Sequence, residues 1–279
     1  TTTDVCLLRD GAPRINREGC TIGRWRTHVE AVDMYTAGAG GDSRITCHRD
    51  GRIELEPARV QPLAMTPDLP DPRTWMDAGL DSVLVLPVAG LDREVIDADP
   101  VLTALDRLGP LPPSSLGAES GITGILLEKR LEHLAYRQRL VLAGFTPTDG
   151  LHALGRLDIG AREHSERAAM VLAAAAGLAP ETFCRRVVEA AETAIETIIL
   201  SYLGRTVWQD DQAVPVLNRR DNELFSLRFA LKLPLVGIGA AARSFLPAIA
   251  ERLGTTVTFL DHCEVGNAIG AALIGLDQV

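Results

Sequence analysis

The sequence predicts an α/β fold that carries an inserted, mostly helical subdomain. Three observations point there. Residues 1–96 are rich in short alternating or apolar runs bounded by Asp-Gly, Pro and Gly-rich turns, the pattern of strands. Amphipathic helices occupy much of residues 97–230. The stretch Pro234–Leu276 then reads strand, glycine turn, helix, strand, helix, which is a parallel α/β unit.

Taken in order, Thr1–Cys6 leads into a first strand, and Asp10-Gly11 is a two-residue hairpin turn. Val29–Tyr35 reads as a further strand, and the loop Thr36–Ser43 follows it directly. A loop so rich in glycine can cradle an anion or let a substrate approach the backbone, and it can equally be a hairpin end. Ile45–Glu56 is a hairpin around Asp50-Gly51. Cys47 and His48 are adjacent on it, so their side chains face opposite ways and cannot chelate one metal together. Pro57–Pro72 is an irregular connection, and Ser82–Val88 a short buried strand.

Pro100–Leu108 and Gly121–Ala135 read as helices and Arg139–Ala143 as a strand. Arg130, Arg137 and Arg139 there fit a solvated face better than a nucleic-acid-binding module, given the acidic whole. Pro147 opens a helix reaching about Gly155, with Asp149 and His152 one turn apart. A packed, hydrogen-bonded histidine is expected at His152 rather than a general base. Glu163–Ala176 is a helix closed by Gly177. Pro180–Leu203 is a longer one, stopped by Gly204, whose stripe Phe183, Val187, Ala191, Ile195, Ile198 and Tyr202 is core. These elements divide the chain into residues 1–96, 97–160 and 161–279.

In the C-terminal stretch, Leu235–Ile238 is a buried strand and Gly237 and Gly239 let the backbone turn out of it. Phe245, Ile249 and Leu253 line one face of the helix that follows. That helix N-terminus is the ligand position of such a unit, because unpaired N–H groups and the helix dipole favour an anion. Val257–Leu260 alternates as the second strand. Asp261 and Glu264 have the spacing of a capping box at the start of the last helix, which suits them better than metal ligation.

The chain has 279 residues with a net charge of −9, which argues against nucleic acid or an anionic membrane surface as the partner. Lys129 and Lys232 are its only lysines. The five cysteines, Cys6, Cys20, Cys47, Cys184 and Cys263, are scattered without a C-x-x-C pair, as in a reducing cytoplasm. No secretory leader and no long apolar span is recognisable. The expected location is cytoplasmic, with no membrane partner.

Four motifs remain, of which Gly144–Arg156 is the most specific because no general folding rule demands such a string. Thr1–Val5 reads T-T-T-D-V, Asp33–Gly41 reads D-x-x-T-x-G-A-G-G, Gly144–Arg156 reads G-F-T-P-T-D-x-L-H-x-L-G-R, and Gly237–Pro247 reads G-I-G-A-x-A-x-x-F-L-P. In this order they resemble the hydantoinase A and 5-oxoprolinase family of the actin, sugar kinase and chaperone ATPase superfamily. Thr1–Val5 resembles the second half of that family's phosphate loop D-x-G-G-T-[ST]-T-D-V. Two positions depart from the family's Gly-rich loop: Tyr35 stands where a histidine is expected and Asp42 where a glycine is expected. A role that relatives give that histidine does not carry over here.

The resemblance implies a ribonuclease-H-like mixed sheet with nucleotide between two lobes, and ATP-dependent opening of a cyclic amide ring. ATP and Mg2+ are the implied cofactors. Asp4 and Asp33 are the implied catalytic carboxylates, with Asp4 near the metal. Thr1, Thr2 and Thr3 would meet phosphate, and the loop bearing Gly38, Gly40, Gly41 and Ser43 would face phosphate or substrate. Gly237, Gly239, Ala240 and Ser244 would lie against adenosine. No residue is assigned as a direct protein ligand of a metal. A hydantoinase B-like subunit is the implied partner. The chain begins without Met inside the phosphate loop, so it is expected to be a fragment, inactive alone, whose N-terminal lobe lies elsewhere. An acetone carboxylase-like subunit and an ATP-dependent activator of a partner enzyme are the alternatives.

Overall fold

The computed structural model describes all residues except 1, 18, 20, 23–24, 27–28, 49, 78–81, 209–222, 225 and 277–279. It is a mixed α/β structure. Its strands are β1 (Thr3–Cys6), β2 (Leu8–Arg9), β3 (Ala12–Pro13), β4 (Ile15–Asn16), β5 (Thr21–Ile22), β6 (Trp25–Arg26), β7 (Ala31–Val32), β8 (Met34–Ala37), β9 (Ser43–Cys47), β10 (Ile53–Arg59), β11 (Gln61–Pro62), β12 (Val83–Pro87), β13 (Leu140–Gly144), β14 (Leu235–Gly237) and β15 (Val257–Phe259). Its helices are α1 (Arg93–Asp97), α2 (Pro100–Leu108), α3 (Pro113–Ser120), α4 (Ile125–Tyr136), α5 (Pro147–Ala153), α6 (Arg162–Ala175), α7 (Pro180–Trp208), α8 (Ala242–Arg252) and α9 (Gly266–Leu276). The chain forms two compact units, one of residues 41–188, the other of residues 1–40 with 189–279.

In the unit of residues 41–188, β9 and β10 form the hairpin expected around Asp50-Gly51, with Ile53 opposite Cys47. Gly51 has φ +79, a conformation that side chains resist. A three-stranded sheet follows in the order β11-β13-β12, with β12 antiparallel and β11 parallel to β13. Ile45, Leu63, Leu84, Phe145, Leu172 and Phe183 form one buried core. The Phe145 and Phe183 rings meet at 5.6 Å. Val101, Leu105, Leu116, Leu131 and Leu134 form a second core over β12 and β13. Each such side chain contributes about 1.5–3 kcal/mol by leaving water.

Asp99 caps α2 by accepting from the Val101 and Leu102 N–H groups, and Arg130 of α4 pairs with the same carboxylate. Arg130 is thus a structural tie, whatever its neighbours Arg137 and Arg139 do. Helix α3 is absent from the sequence reading, because Pro-Pro-Ser-Ser there resembles a loop. Burial of Leu116 makes it a helix, and Gly121, in the left-handed region at φ +71, ends it.

In the other unit, β2 and β3 form the hairpin expected at Asp10-Gly11, both of which have positive φ, 53° and 78°. That is the twist a two-residue hairpin turn needs. The expected strand Val29–Tyr35 is instead two strands with different partners: β7 pairs with β4, and β8 with β1. The change occurs at Asp33, whose N–H donates to the Arg14 carbonyl at 2.7 Å. Helix α7 does not stop at Gly204 but continues to Trp208. Its end is anchored: the Leu7 N–H donates to the Tyr202 hydroxyl at 3.0 Å, and that hydroxyl donates to the Asp33 carbonyl at 3.3 Å. Packing here outweighs the roughly 1 kcal/mol that glycine costs inside a helix.

Strands β14 and β15 run parallel, joined through α8 as a parallel pair requires. Phe245, Ile249 and Leu253 are buried. Arg252 ties α8 to α7 through Glu192 and Glu196, at 3.1 and 2.8 Å. Among the described residues no helix is long and apolar enough to cross a membrane.

Candidate functional site

The antiparallel β1–β8 ladder sets Asp4 opposite Thr36 and Val5 opposite Tyr35. Strand alternation puts Thr3 and Val5 on the half-buried face and Asp4 on the exposed one. Thr36 Oγ1 donates to Asp4 Oδ1 at 2.6 Å, and Thr2 Oγ1 donates to Oδ2 at 3.2 Å. Each carboxylate oxygen is therefore held by a threonine hydroxyl and keeps further lone-pair capacity. Thr3 turns the other way and donates through Oγ1 to the Ala39 carbonyl at 2.8 Å, fixing the start of the Gly-rich loop on β1. The structure thus brings Thr2, Thr3, Asp4 and Thr36 together with the segment Gly38–Gly40. Thr1 lies outside the described residues.

The loop is divided between the units after Gly40. Gly41 accepts from the Thr148 N–H at 3.0 Å, and Asp42 pairs with Arg59 at 3.4 Å. Ser43, fully buried, begins β9. Asp33 is occupied elsewhere: its carboxylate pairs with Arg14 at 3.4 Å, and its carbonyl takes the Tyr202 hydroxyl. Tyr35, at the family's histidine position, lies beneath Arg205, whose guanidinium carbon is 4.4 Å from the ring centroid. That is a cation–π contact.

The C-terminal turn separates the roles of its two glycines. A Cβ on Gly237 would fall 2.4 Å from the Phe259 ring and 2.8 Å from Leu246. That position is glycine because the strand packs against aromatic and aliphatic side chains. Gly239 has φ +114 and open space where a Cβ would be. Its N–H donates to the Cys263 carbonyl at 2.7 Å and its carbonyl accepts from Ala242 N–H at 3.1 Å, so the turn is braced on both sides. Ala240 is exposed and Ser244 half-buried at the start of α8.

Arg243, which the sequence reading did not single out, sits in the first turn of α8. Its Nε donates to Glu264 Oε1 at 2.6 Å, and its guanidinium lies 4.9 Å from the centre of the Phe259 ring. The cation is therefore anchored between a carboxylate and an aromatic face. The Arg243 hydrogen bond holds the Glu264 carboxyl below its usual range, and the same bond raises the Arg243 guanidinium. The clue was an arginine in the first turn of the helix, where a cation gains nothing from the helix dipole.

The pairing of Glu264 with Arg243 overturns the expected capping box. His262 adopts the left-handed conformation at φ 56, Cys263–Val265 form a 3-10 turn without a side-chain cap, and α9 begins only at Gly266. The Glu264 carboxylate is held by Arg243 of α8 instead of closing a box with Asp261.

Gly144–Arg156 folds around Asp149 and His152. Asp149 and Thr146 form a capping box at the start of α5. His152 is packed as expected, with no exposed surface, but neither ring nitrogen has a hydrogen-bond partner. Among the described residues no group of three or more His, Cys, Asp or Glu side chains is placed to hold a metal.

No curated protein and no solved structure matches the chain. A family model for hydantoinase/oxoprolinase matches residues 1–276. The chain belongs to the hydantoinase/oxoprolinase family.

Proposed function

We propose that this chain works in ATP-dependent hydrolytic opening of a cyclic amide ring, such as a hydantoin or 5-oxoproline, as part of a larger cytoplasmic enzyme with a hydantoinase B-like subunit. Family membership across residues 1–276 supports the amide-ring chemistry, and it is the observation that carries the reading. The proposed architecture is the ribonuclease-H-like sheet, with nucleotide between two lobes.

The residues present fit ATP and Mg2+. Asp4 is an exposed carboxylate held by two hydroxyls rather than by a guanidinium, a hard oxygen donor suited to a hydrated divalent cation. Gly239 leaves open space beside a helix start, which suits a flat ring or a ribose. An amide carbonyl is a poor electrophile. ATP, when bound, would supply a phosphoryl group to its oxygen, so that one water adds at the carbon, the ring C–N bond breaks with its nitrogen taking a proton, and a second water releases the phosphate.

The protein's share of that chemistry is positioning and charge neutralisation. Asp4 would hold Mg2+ through water. Thr2 and Thr3 would lie toward phosphate, with Gly38 and Gly40 close enough for backbone contact. Arg243, Gly239, Ala240 and Ser244 would frame adenosine, while Gly237 keeps β14 close to Phe259. Asp33, held by Arg14, would orient the strand pair.

The test is the full-length protein with its partner subunit, assayed for ATP hydrolysis and ring opening across several cyclic amides and ketones. Ring opening coupled to ATP consumption is expected. Ring opening that proceeds equally without ATP, or ATP-dependent carboxylation of a ketone instead, would overturn the proposal.

A further inference from the structure

Helix α5 carries two buried ionisable side chains one turn apart, and the fold treats them in opposite ways. Asp149 accepts five hydrogen bonds: from Leu63 N–H at 3.1 Å, Ala64 N–H at 2.9 Å, Thr146 N–H at 3.0 Å, Thr146 Oγ1 at 2.9 Å and Ser165 Oγ at 2.6 Å. His152 accepts and donates none. An enclosed imidazole with both nitrogens unsatisfied carries a desolvation cost that an apolar side chain would avoid.

We propose that His152 is an acid-sensitive latch: on gaining a proton it draws on Asp149, and the turn Leu63–Met65 is released from α5. The inference does not depend on the reaction proposed above. Protonated, the ring would have two N–H donors and a charge, with Asp149 the nearest carboxylate on its own helix. A carboxylate offers about four lone-pair sites, and Asp149 already accepts five donors. Sharing it with an imidazolium means giving up existing ones. The Leu63 and Ala64 N–H groups are the ones to yield, because they belong to a turn of only three residues. Thr146, by contrast, caps α5, and Ser165 is fixed in α6.

The loosening extends to the segment 158–161. The Ala161 N–H donates to the Ala64 carbonyl at 2.8 Å, and Gly160, at φ +78, sits so close that a Cβ would fall 2.2 Å from that oxygen. This segment also carries Asp158, a second carboxylate that favours the charged imidazole.

Among the other groups around α5, Asp158 is the one further carboxylate acting on the imidazole, and His164 of α6 meets the Leu63 carbonyl through Nδ1 at 3.4 Å. Arg162 on α6 opposes protonation. The turn Leu63–Met65 carries no ionisable side chain. On β9, Arg44 is paired with Glu56 and the Cys47 thiol turns to the Leu172 carbonyl. On α7, Cys184 is a buried thiol pushed up to about 12 by burial and by the Asp149 charge.

Burial holds His152 below its usual range, and the Asp149 and Asp158 charges only partly restore it. A histidine lowered on folding stabilises the latched state fully above its unfolded value of 6.5, and that stabilisation fades as pH falls below it.

Amide hydrogen exchange on the full chain, corrected for intrinsic rates, reads the latch between about pH 7.5 and about pH 5. Protection at the Leu63 and Ala64 amides should fall by up to about tenfold per pH unit, while Val101 and Leu102, held by Asp99, stay protected. In His152→Leu the fall should vanish. Constant protection in the parent, or an equal fall in His152→Leu, overturns the proposal. If His152→Leu does not fold, the imidazole of the unmodified protein is titrated by NMR. Its midpoint should lie below 6.5 and coincide with the loss of protection, and a midpoint separate from that loss overturns the latch equally.

Discussion

Asp4 faces Thr36 across the β1–β8 ladder, and the Thr36 hydroxyl donates to the Asp4 carboxylate at 2.6 Å. The two residues come from separate motifs, T-T-T-D-V and D-x-x-T-x-G-A-G-G. Antiparallel register makes them one site. If Asp4 holds the metal, Asp4→Asn in the full-length enzyme should lower ATP-dependent turnover by about 10²–10³-fold. Thr36→Val should cost less, since Thr36 acts through Asp4. Melting temperatures should barely move, because Asp4 is on an exposed face and such changes stay within about 0.5 kcal/mol. Unchanged turnover in Asp4→Asn would remove Asp4 from the catalytic machinery.

Gly237 and Gly239 should fail in different ways. Gly237→Ala drives a methyl into Phe259 and Leu246 and should destabilise the unit by about 1–3 kcal/mol. Gly239→Val meets no neighbour but must adopt φ +114, which side chains rarely do, and its branches would project into the space assigned to adenosine. Calorimetry should find nucleotide binding lost in Gly239→Val while circular dichroism stays near the parent. Equal ATP affinity in the two proteins would sink the adenosine assignment.

Asp149 is the junction of three segments, since its carboxylate collects donors from the Leu63–Met65 turn, from Thr146 and from Ser165. Burial pushes its carboxyl up, with those donors pulling the other way. Asp149→Asn puts an NH2 where an acceptor is needed and leaves buried donors without partners. Urea denaturation should show a loss of about 2–4 kcal/mol, beyond a typical surface substitution. A loss under about 0.5 kcal/mol would mean the network is not holding these segments together.

The Arg243–Glu264 pair gives the C-terminal unit an acid-sensitive contact of its own. Glu264 is lowered on folding, so its contribution is complete above the unfolded value of 4.5 and disappears as pH falls through the folded one. Exchange at the Val265 amide, whose bond to the His262 carbonyl belongs to the same turn, should stay constant from neutral pH down to about 4.5 and rise below it. Arg243→Gln should erase the rise. A rise that survives in Arg243→Gln would assign it to another group.

How much of this protein its sequence determined follows from the range of the forces involved. Asp10-Gly11 and Asp50-Gly51 specify hairpins because φ above zero is a property of one or two residues. Phe183, Val187, Ala191, Ile195, Ile198 and Tyr202 specify a buried helix face because their spacing follows the helical repeat, and all six are buried. The strand, turn, helix, strand order of the C-terminal stretch was legible for the same reason. Four motifs in order carried the family, Gly144–Arg156 most specifically, since no folding rule demands that string.

Tertiary structure decided the rest, wherever a polar group had to choose among distant partners. Glu264 had the spacing to cap its own turn, yet Arg243 arrives from α8 with a charge-assisted bond and takes it. Asp149 completes a capping box with Thr146 at the start of α5, and it also gathers N–H groups 85 and 86 residues away. His152, expected to be hydrogen-bonded, was left without partners because the acceptor beside it was already full. Gly204 failed to end α7, and Tyr202, in the helix's last two turns, is fastened to Leu7 and Asp33. Backbone conformation is set largely by adjacent residues, whereas a buried donor or acceptor must be satisfied by whatever the fold brings near it.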